Sequence, residues 1–200
     1  MPRKWSGGGV AVAWTTLLAA GCGDPAPDNR MSEAEPAAAW PAPLPELAGR
    51  TVLSGCRQGQ CASLRVASVE RAGSVPQGEL RRLVARRGFS RYEFDAEPPS
   101  AFDESVAIEW EPGDQSLYAF CSIERPSYAF PDEDGKLILH RIDLYDLAGY
   151  QTASATMYMR ICHGSDGLPE PGPALAELGY RPGTPNEQVE VASPDEIVRF

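Results

Sequence analysis

Four cysteines, Cys56, Cys61, Cys121 and Cys162, follow an amino-terminal export segment, and this combination constrains the fold more than any other feature of the chain. Met1–Lys4 is short and positive, Gly8–Ala20 is apolar, and small residues follow, which is the layout of a secretory signal peptide. The apolar run, about a dozen residues long, is too short to hold as a membrane-spanning anchor. An even number of cysteines in an exported chain reads as two disulfides. Three pairings are open on sequence alone. The favoured one joins Cys56 to Cys61, closing a small loop rich in Arg, Gln and Gly, and Cys121 to Cys162, tying a middle strand to a later helix. Closing the larger loop contributes roughly 3–4 kcal/mol in the chain-entropy view. The rival reading is metal or redox chemistry. Against it, Cys56 and Cys61 are separated by four residues rather than two, and no second matched pair follows. Cys162 and His163 are neighbours whose side chains diverge on either a strand or a helix.

The chain of 200 residues carries 18 basic and 28 acidic residues, a net charge of −10. Arg3 and Lys4 lie in the export segment, which has no acid, so its removal leaves −12. That balance argues against a nucleic-acid partner, because phosphate-backbone affinity comes from Lys and Arg. Length and an apolar fraction of 42% suit one domain with one core, and composition excludes collagen-like, coiled-coil and multi-span membrane chains.

Three segments are expected: a leader over residues 1–21, a spacer over 22–49, and a single domain over 50–200. The spacer contains six prolines, at 25, 27, 36, 41, 43 and 45, mixed with alanine and acids, a semi-rigid solvated composition. Trp40 is its one large aromatic residue and reads as an incidental part of the linker.

Within the domain, strands are predicted at 51–53, 62–69, 106–110, 116–121, 127–130 and 137–144. Asp132-Glu133-Asp134-Gly135 joins the last two as a hairpin turn, a reading preferred to a calcium loop because EF-hand ligand spacing is missing. Residues 79–92 fit either period and are taken as a strand. Residues 152–162 are ambiguous in the same way and are taken as a helix packed on the sheet, since Ala155, Tyr158, Met159 and Cys162 follow helical spacing. A short helix starts at Pro173 and stops at Gly179, Val189 and Val191 mark an edge strand, and Ser193–Glu196 carries a capping box. The expected fold class is α+β: mainly antiparallel sheet with one or two packed helices, braced by disulfides.

Leu17-Leu18-Ala19-Ala20-Gly21-Cys22 resembles the lipobox of bacterial lipoproteins. That family attaches diacylglycerol to the cysteine thiol, cleaves just before it, and usually acylates the new amino group. The resemblance implies that Cys22 begins the mature chain and inserts its acyl chains (palmitate among them) into a membrane. Each buried methylene contributes about 0.8 kcal/mol, so two or three chains hold where one does not. The family commonly has leucine where Ala19 stands. Gly23 rather than aspartate follows the cysteine, which by resemblance directs the protein to the periplasmic face of the outer membrane. An ordinary signal peptide cut near Ala20, or a single uncleaved anchor, are the competing readings. Gly55–Cys61, Phe120-Cys121-Ser122 with Arg125-Pro126, and Gly149-Tyr150 leading to Ile161–Gly164 are similar to a group of uncharacterised exported proteobacterial proteins. That likeness implies the domain limits and brings no activity.

No nucleophile elbow, phosphate-cradling loop or zinc-helix motif is present, and His140 and His163 stand in no catalytic motif. No catalytic residue, metal site or cofactor is therefore assigned. Arg81, Arg82, Arg86, Arg87 and Arg91 fall together, and eight acids from Glu93 to Asp114 follow without an intervening base. The preferred reading is that these faces offset each other. The functional alternative lets Arg81, Arg82, Arg86 and Arg87 meet an anionic glycan or lipid head group, and the acids a cationic envelope protein. Two functions are thus expected. One is a non-enzymatic envelope module of the inhibitor or immunity kind; the other is an envelope hydrolase using Glu109 and Glu111 near Tyr118.

Overall fold

The structure, a computed structural model, describes residues 45–200. Cys22, the leader and Trp40 lie outside the described residues. Eight strands form one antiparallel sheet: β1 (Thr51–Arg57), β2 (Gln60–Val75), β3 (Gly78–Arg91), β4 (Glu109–Trp110), β5 (Gln115–Cys121), β6 (Ser127–Pro131), β7 (Leu137–Arg141) and β8 (Glu187–Val191). The order β1-β2-β3-β5-β6-β7-β8 is a meander, with the short β4 pairing beside β5 on β3. Helices α1 (Thr152–His163), α2 (Pro173–Glu177) and α3 (Pro194–Ile197) complete the domain. It is an α+β fold braced by two disulfides, Cys56–Cys61 and Cys121–Cys162.

Strand period 2 divides the sheet into two apolar faces. Leu83, Ala85, Leu117, Ala119 and Tyr128 point to the face that α1 covers, where Ala155, Met157, Tyr158, Met159 and Ile161 complete the main core. Leu80, Phe120, Ala129, Leu139 and Val191 point the other way and are closed by Ile197 of α3. Helix α1 is enclosed nearly all round: Ser154, Ala155 and Met157–Cys162 are buried. Its approach to β1 requires a glycine, because a Cβ on Gly55 would stand 2.9 Å from that of Ala153. Gly164 ends it at φ 67°, returning its N–H to the Arg160 carbonyl at 3.0 Å.

The long β2–β3 hairpin extends six residues past the expected end of the first strand, to Val75. Two register shifts, after Val66 and after Arg71, let β2 bend there, and most of its distal half is exposed. The strand expected at 106–110 contracts to Glu109–Trp110, because Asp103 draws the N–H and hydroxyl of Ser105 to its carboxylate and turns the chain. The strand expected at 137–144 stops at Arg141. Ile142 and Leu144 are buried, yet the Asp143 carboxylate takes the N–H groups of Tyr145 and Gly183, and this local bonding displaces the ladder. Asp132 behaves similarly in the hairpin turn, accepting from the N–H groups of Asp134 and Lys136. At α3 the expected capping box does not close on Ser193, and its glutamate bonds one residue earlier. Ser193 makes no side-chain bond, while Glu196 reaches back to the Ala192 N–H at 3.0 Å. The domain also begins earlier than residue 50: Leu47 is buried in the main core and Gly49 donates to the Val66 carbonyl.

Candidate functional site

Strand β3 puts the arginines in alternation, and their neighbours' registers decide what each one meets. Arg81 points inward and is 1% exposed. Its Nε donates to Glu79 Oε1 at 2.7 Å, and Nη1 donates to the carbonyls of Ile161 and Cys162 at 2.8 and 3.4 Å. Those carbonyls close the carboxyl-terminal end of α1, where partial negative charge collects. The functional alternative that placed Arg81 on an exposed anion-binding surface is corrected here: it is an internal clamp. Arg82 pairs with Glu70 at 3.1 Å, Arg86 with Asp114 at 3.5 Å, and Arg87 makes two bonds to Glu111 at 2.8 and 3.1 Å. The basic and acidic blocks of the sequence thus interleave across strands, leaving no continuous cationic face along these four positions.

The carboxylates considered for hydrolysis are dispersed by the same register. Glu111 is held by Arg87, and Glu109 is exposed opposite Phe89. Tyr118 lies opposite Arg82, seven positions along β3, or about 23 Å away at strand rise.

Among the described residues, two grooves stand out. The larger, about 1000 Å³, lies between the β2–β3 turn at Ser74–Glu79, Ile123 and Glu124, and the segment Arg181–Pro185. Val75, Pro76, Ile123, Pro182 and Pro185 supply apolar surface, with Glu124 and Arg181 exposed at its margins. The smaller, about 600 Å³, lies between Gly49–Leu53 and Ser100–Phe102 with Glu104, and is bounded by Arg160 and Asp166. Neither contains Glu109 or Glu111.

Both histidines are built into hydrogen-bond chains that the sequence did not reveal. His163 Nε2 stands 2.6 Å from the Tyr180 hydroxyl, which stands 2.7 Å from that of Tyr158. Tyr158 donates to the Ser122 carbonyl at 3.0 Å and accepts from the Ser122 N–H. With Tyr158 donating to Ser122, the ordering that satisfies every group runs His163 Nε2–H to Tyr180 and Tyr180 to Tyr158. Burial, then the nearby Arg81 cation, pulls the His163 pKa down to about 4. Burial raises both tyrosines far above their ordinary values. His140 Nδ1 meets Ser154 Oγ at 2.8 Å and its Nε2 meets Gln188 Oε1 at 3.1 Å. Ser154 and His140 are 5% and 4% exposed, and neither lines either groove. This pair reads as a satisfied core contact that fixes α1 to β7 and β8.

A folded-state pKa below the unfolded value means that only the unfolded chain takes up the proton between pH 6.5 and 4. The His163 contribution is therefore complete above pH 6.5 and is lost as pH falls through that window. The ring is partly wetted, so about 2 kcal/mol is expected rather than the full equivalent of the shift. Urea unfolding at pH 7.5 and 4.5 checks this: His163→Gln should lose less stability on acidification than wild type by that amount. Equal losses would remove the histidine from the account.

Among the described residues, no group of three or more His, Cys, Asp or Glu side chains is placed to hold a metal ion. No helix among them is long and apolar enough to cross a membrane. The one sequence signal for Arg160 was its position as a lone charge in the apolar run Met157–Cys162; nothing in the sequence pointed to a hydrogen-bond role for Tyr180 or Ser122. No protein-family model, curated protein or solved structure matches the chain.

Proposed function

We propose that the protein is a bacterial envelope lipoprotein, anchored through Cys22 at the periplasmic face of the outer membrane, and that its domain serves as a binding or protective module. The observation that carries this reading is the order of parts along the chain. A lipid-attachment sequence ends at Cys22, a proline-rich spacer follows, and a disulfide-braced domain with an open apolar groove comes last. Proline-rich spacers extend by about 3.1 Å per residue, enough to hold a domain tens of ångströms from a membrane surface. The larger groove has the size and mixed lining of a recognition surface. Its walls are turns and loops carried by a rigid sheet, the usual placement of binding residues. The partner class this fits is another envelope protein, or an incoming one that the module would block. The hydrolase reading is not favoured, since Glu111 is committed to Arg87 and Glu109 lies apart from Tyr118.

Growth of the producing bacterium with an alkyne-labelled fatty acid tests the anchor. Wild-type protein should carry the label and fractionate with outer membranes, while Cys22→Ser should be unlabelled and soluble. An unlabelled wild type, or label retained in Cys22→Ser, overturns the proposal.

A further inference from the structure

The smaller groove ends on a buried positive charge that makes no salt bridge among the described residues. Arg160 is 7% exposed, yet among the described residues its guanidinium meets no carboxylate. Its partners are the carbonyls of Leu53 at 2.8 Å and Asp166 at 2.6 Å, with Met157 Sδ at 3.8 Å. Nε has no partner. A position in the last turn of α1 explains the choice of a cation, through the helix dipole, and the two carbonyls explain a clamp between β1 and the segment after α1. Neither supplies a paired counter-charge: the Asp166 carboxylate acts on this guanidinium without a salt bridge and is bonded to Arg50, whose own charge opposes it, and a desolvated ion without a contact partner is costly. Arg50 brings a second guanidinium to the same groove, 3.3 Å from a largely exposed Asp166 carboxylate.

The wall beside these cations is a free strand edge. The Val66 N–H donates to the Arg50 carbonyl, so that carbonyl and, two residues on, the backbone groups of Val52 turn toward β2. By alternation, Thr51 and Leu53 turn theirs into the groove, and the Leu53 carbonyl is indeed the one that Arg160 takes. By that alternation the N–H and C=O of Thr51 and the N–H of Leu53 are the outward groups of an edge strand, with no partner among the described residues.

We infer that this groove binds the carboxyl-terminal end of an extended peptide. The peptide main chain pairs with the outward groups of Thr51 and Leu53, and its terminal carboxylate settles against Arg160 and Arg50. The strand edge decides between anion sources. A free phosphate answers the guanidinium groups but leaves the edge unpaired, whereas a peptide terminus answers both. Glu104 on the opposite rim disfavours acidic side chains close to that terminus. This inference does not rest on the lipid anchor, and the fatty-acid experiment can fail without touching it.

Fluorescence anisotropy of detergent-solubilised full-length protein tests it, with a mixed-sequence library of fluorescein-labelled pentapeptides as probe. The library with free carboxyl termini should bind, and the same library amidated should bind about ten-fold more weakly, the loss of one charge-assisted contact. Arg50→Gln, at an exposed position, should weaken the free-acid library about three- to five-fold with an unchanged melting temperature. Arg160→Gln should abolish the preference for the free acid; should that variant fail to fold, the Arg50→Gln result stands alone. Equal binding of acid and amide, no binding of either, or stabilisation by inorganic phosphate without peptide binding each overturns the inference.

Discussion

Replacing Arg81 by methionine is expected to destabilise the domain by about 3–5 kcal/mol, a large share of the 5–15 kcal/mol that holds an ordinary domain folded. Methionine fills the space of the side-chain stem but offers no donors. The carbonyls of Ile161 and Cys162 then remain buried without the N–H groups that serve them, and Glu79 keeps only its contact to the half-exposed Arg71. Arg81→Lys keeps the charge but not the fork, and should recover part of the loss. The contrast lies on the other face of the same strand: Arg82→Met and Arg86→Met break pairs between exposed side chains and should each cost under about 1 kcal/mol. Urea denaturation of the four variants at pH 7.5 separates these cases. If Arg81→Met falls within the range of the two surface variants, the inward clamp carries no special weight.

That contrast also marks how far the fold and its sites were legible in the sequence. Local grammar was readable. The hairpin at Asp132–Gly135, the helix over 152–163 and the stop at Gly179 all follow from residues within a few positions of one another. The strand reading for 79–92 also holds, with Leu83 and Ala85 sharing the buried face. The fate of Arg81 was not readable, because the acceptors that draw it inward lie 80 and 81 positions further along the chain. Five arginines in one short stretch look alike as letters, and only the register of β3 against its neighbours and α1 tells the buried clamp from the solvated pairs. Strand ends failed for a related reason. Ile142 and Leu144 continue an apolar pattern while Asp143 diverts the backbone, so side-chain periodicity outruns the ladder. The grooves were hidden altogether, since their walls are turns and loops brought together from distant parts of the chain.

Removing the Cys121–Cys162 disulfide should cost about 3–4 kcal/mol, and removing Cys56–Cys61 roughly 2 kcal/mol or less. The first closes a separation of 41 residues and fastens β5 to the end of α1 within the main core. The second joins cross-strand partners only 5 apart, in a hairpin already paired through its own ladder. Cys121→Ala/Cys162→Ala and Cys56→Ala/Cys61→Ala, compared by thermal and urea unfolding, should therefore rank in that order. Reductant should also act unequally. Cys121 and Cys162 are both buried, so their bond opens only when the domain unfolds, whereas half-buried Cys56 is open to attack in the native state. Arg81 binds the carbonyl of Cys162, and Glu79, its carboxylate partner, lies opposite Cys121 in the β3–β5 register. The clamp and the disulfide consequently hold the same helix end, and their losses should not add. With the disulfide gone, the end of α1 is free to fray toward water, so Arg81→Met should then cost less than it does in wild type. Strict additivity would mean that the two fastenings act on separate parts of the fold.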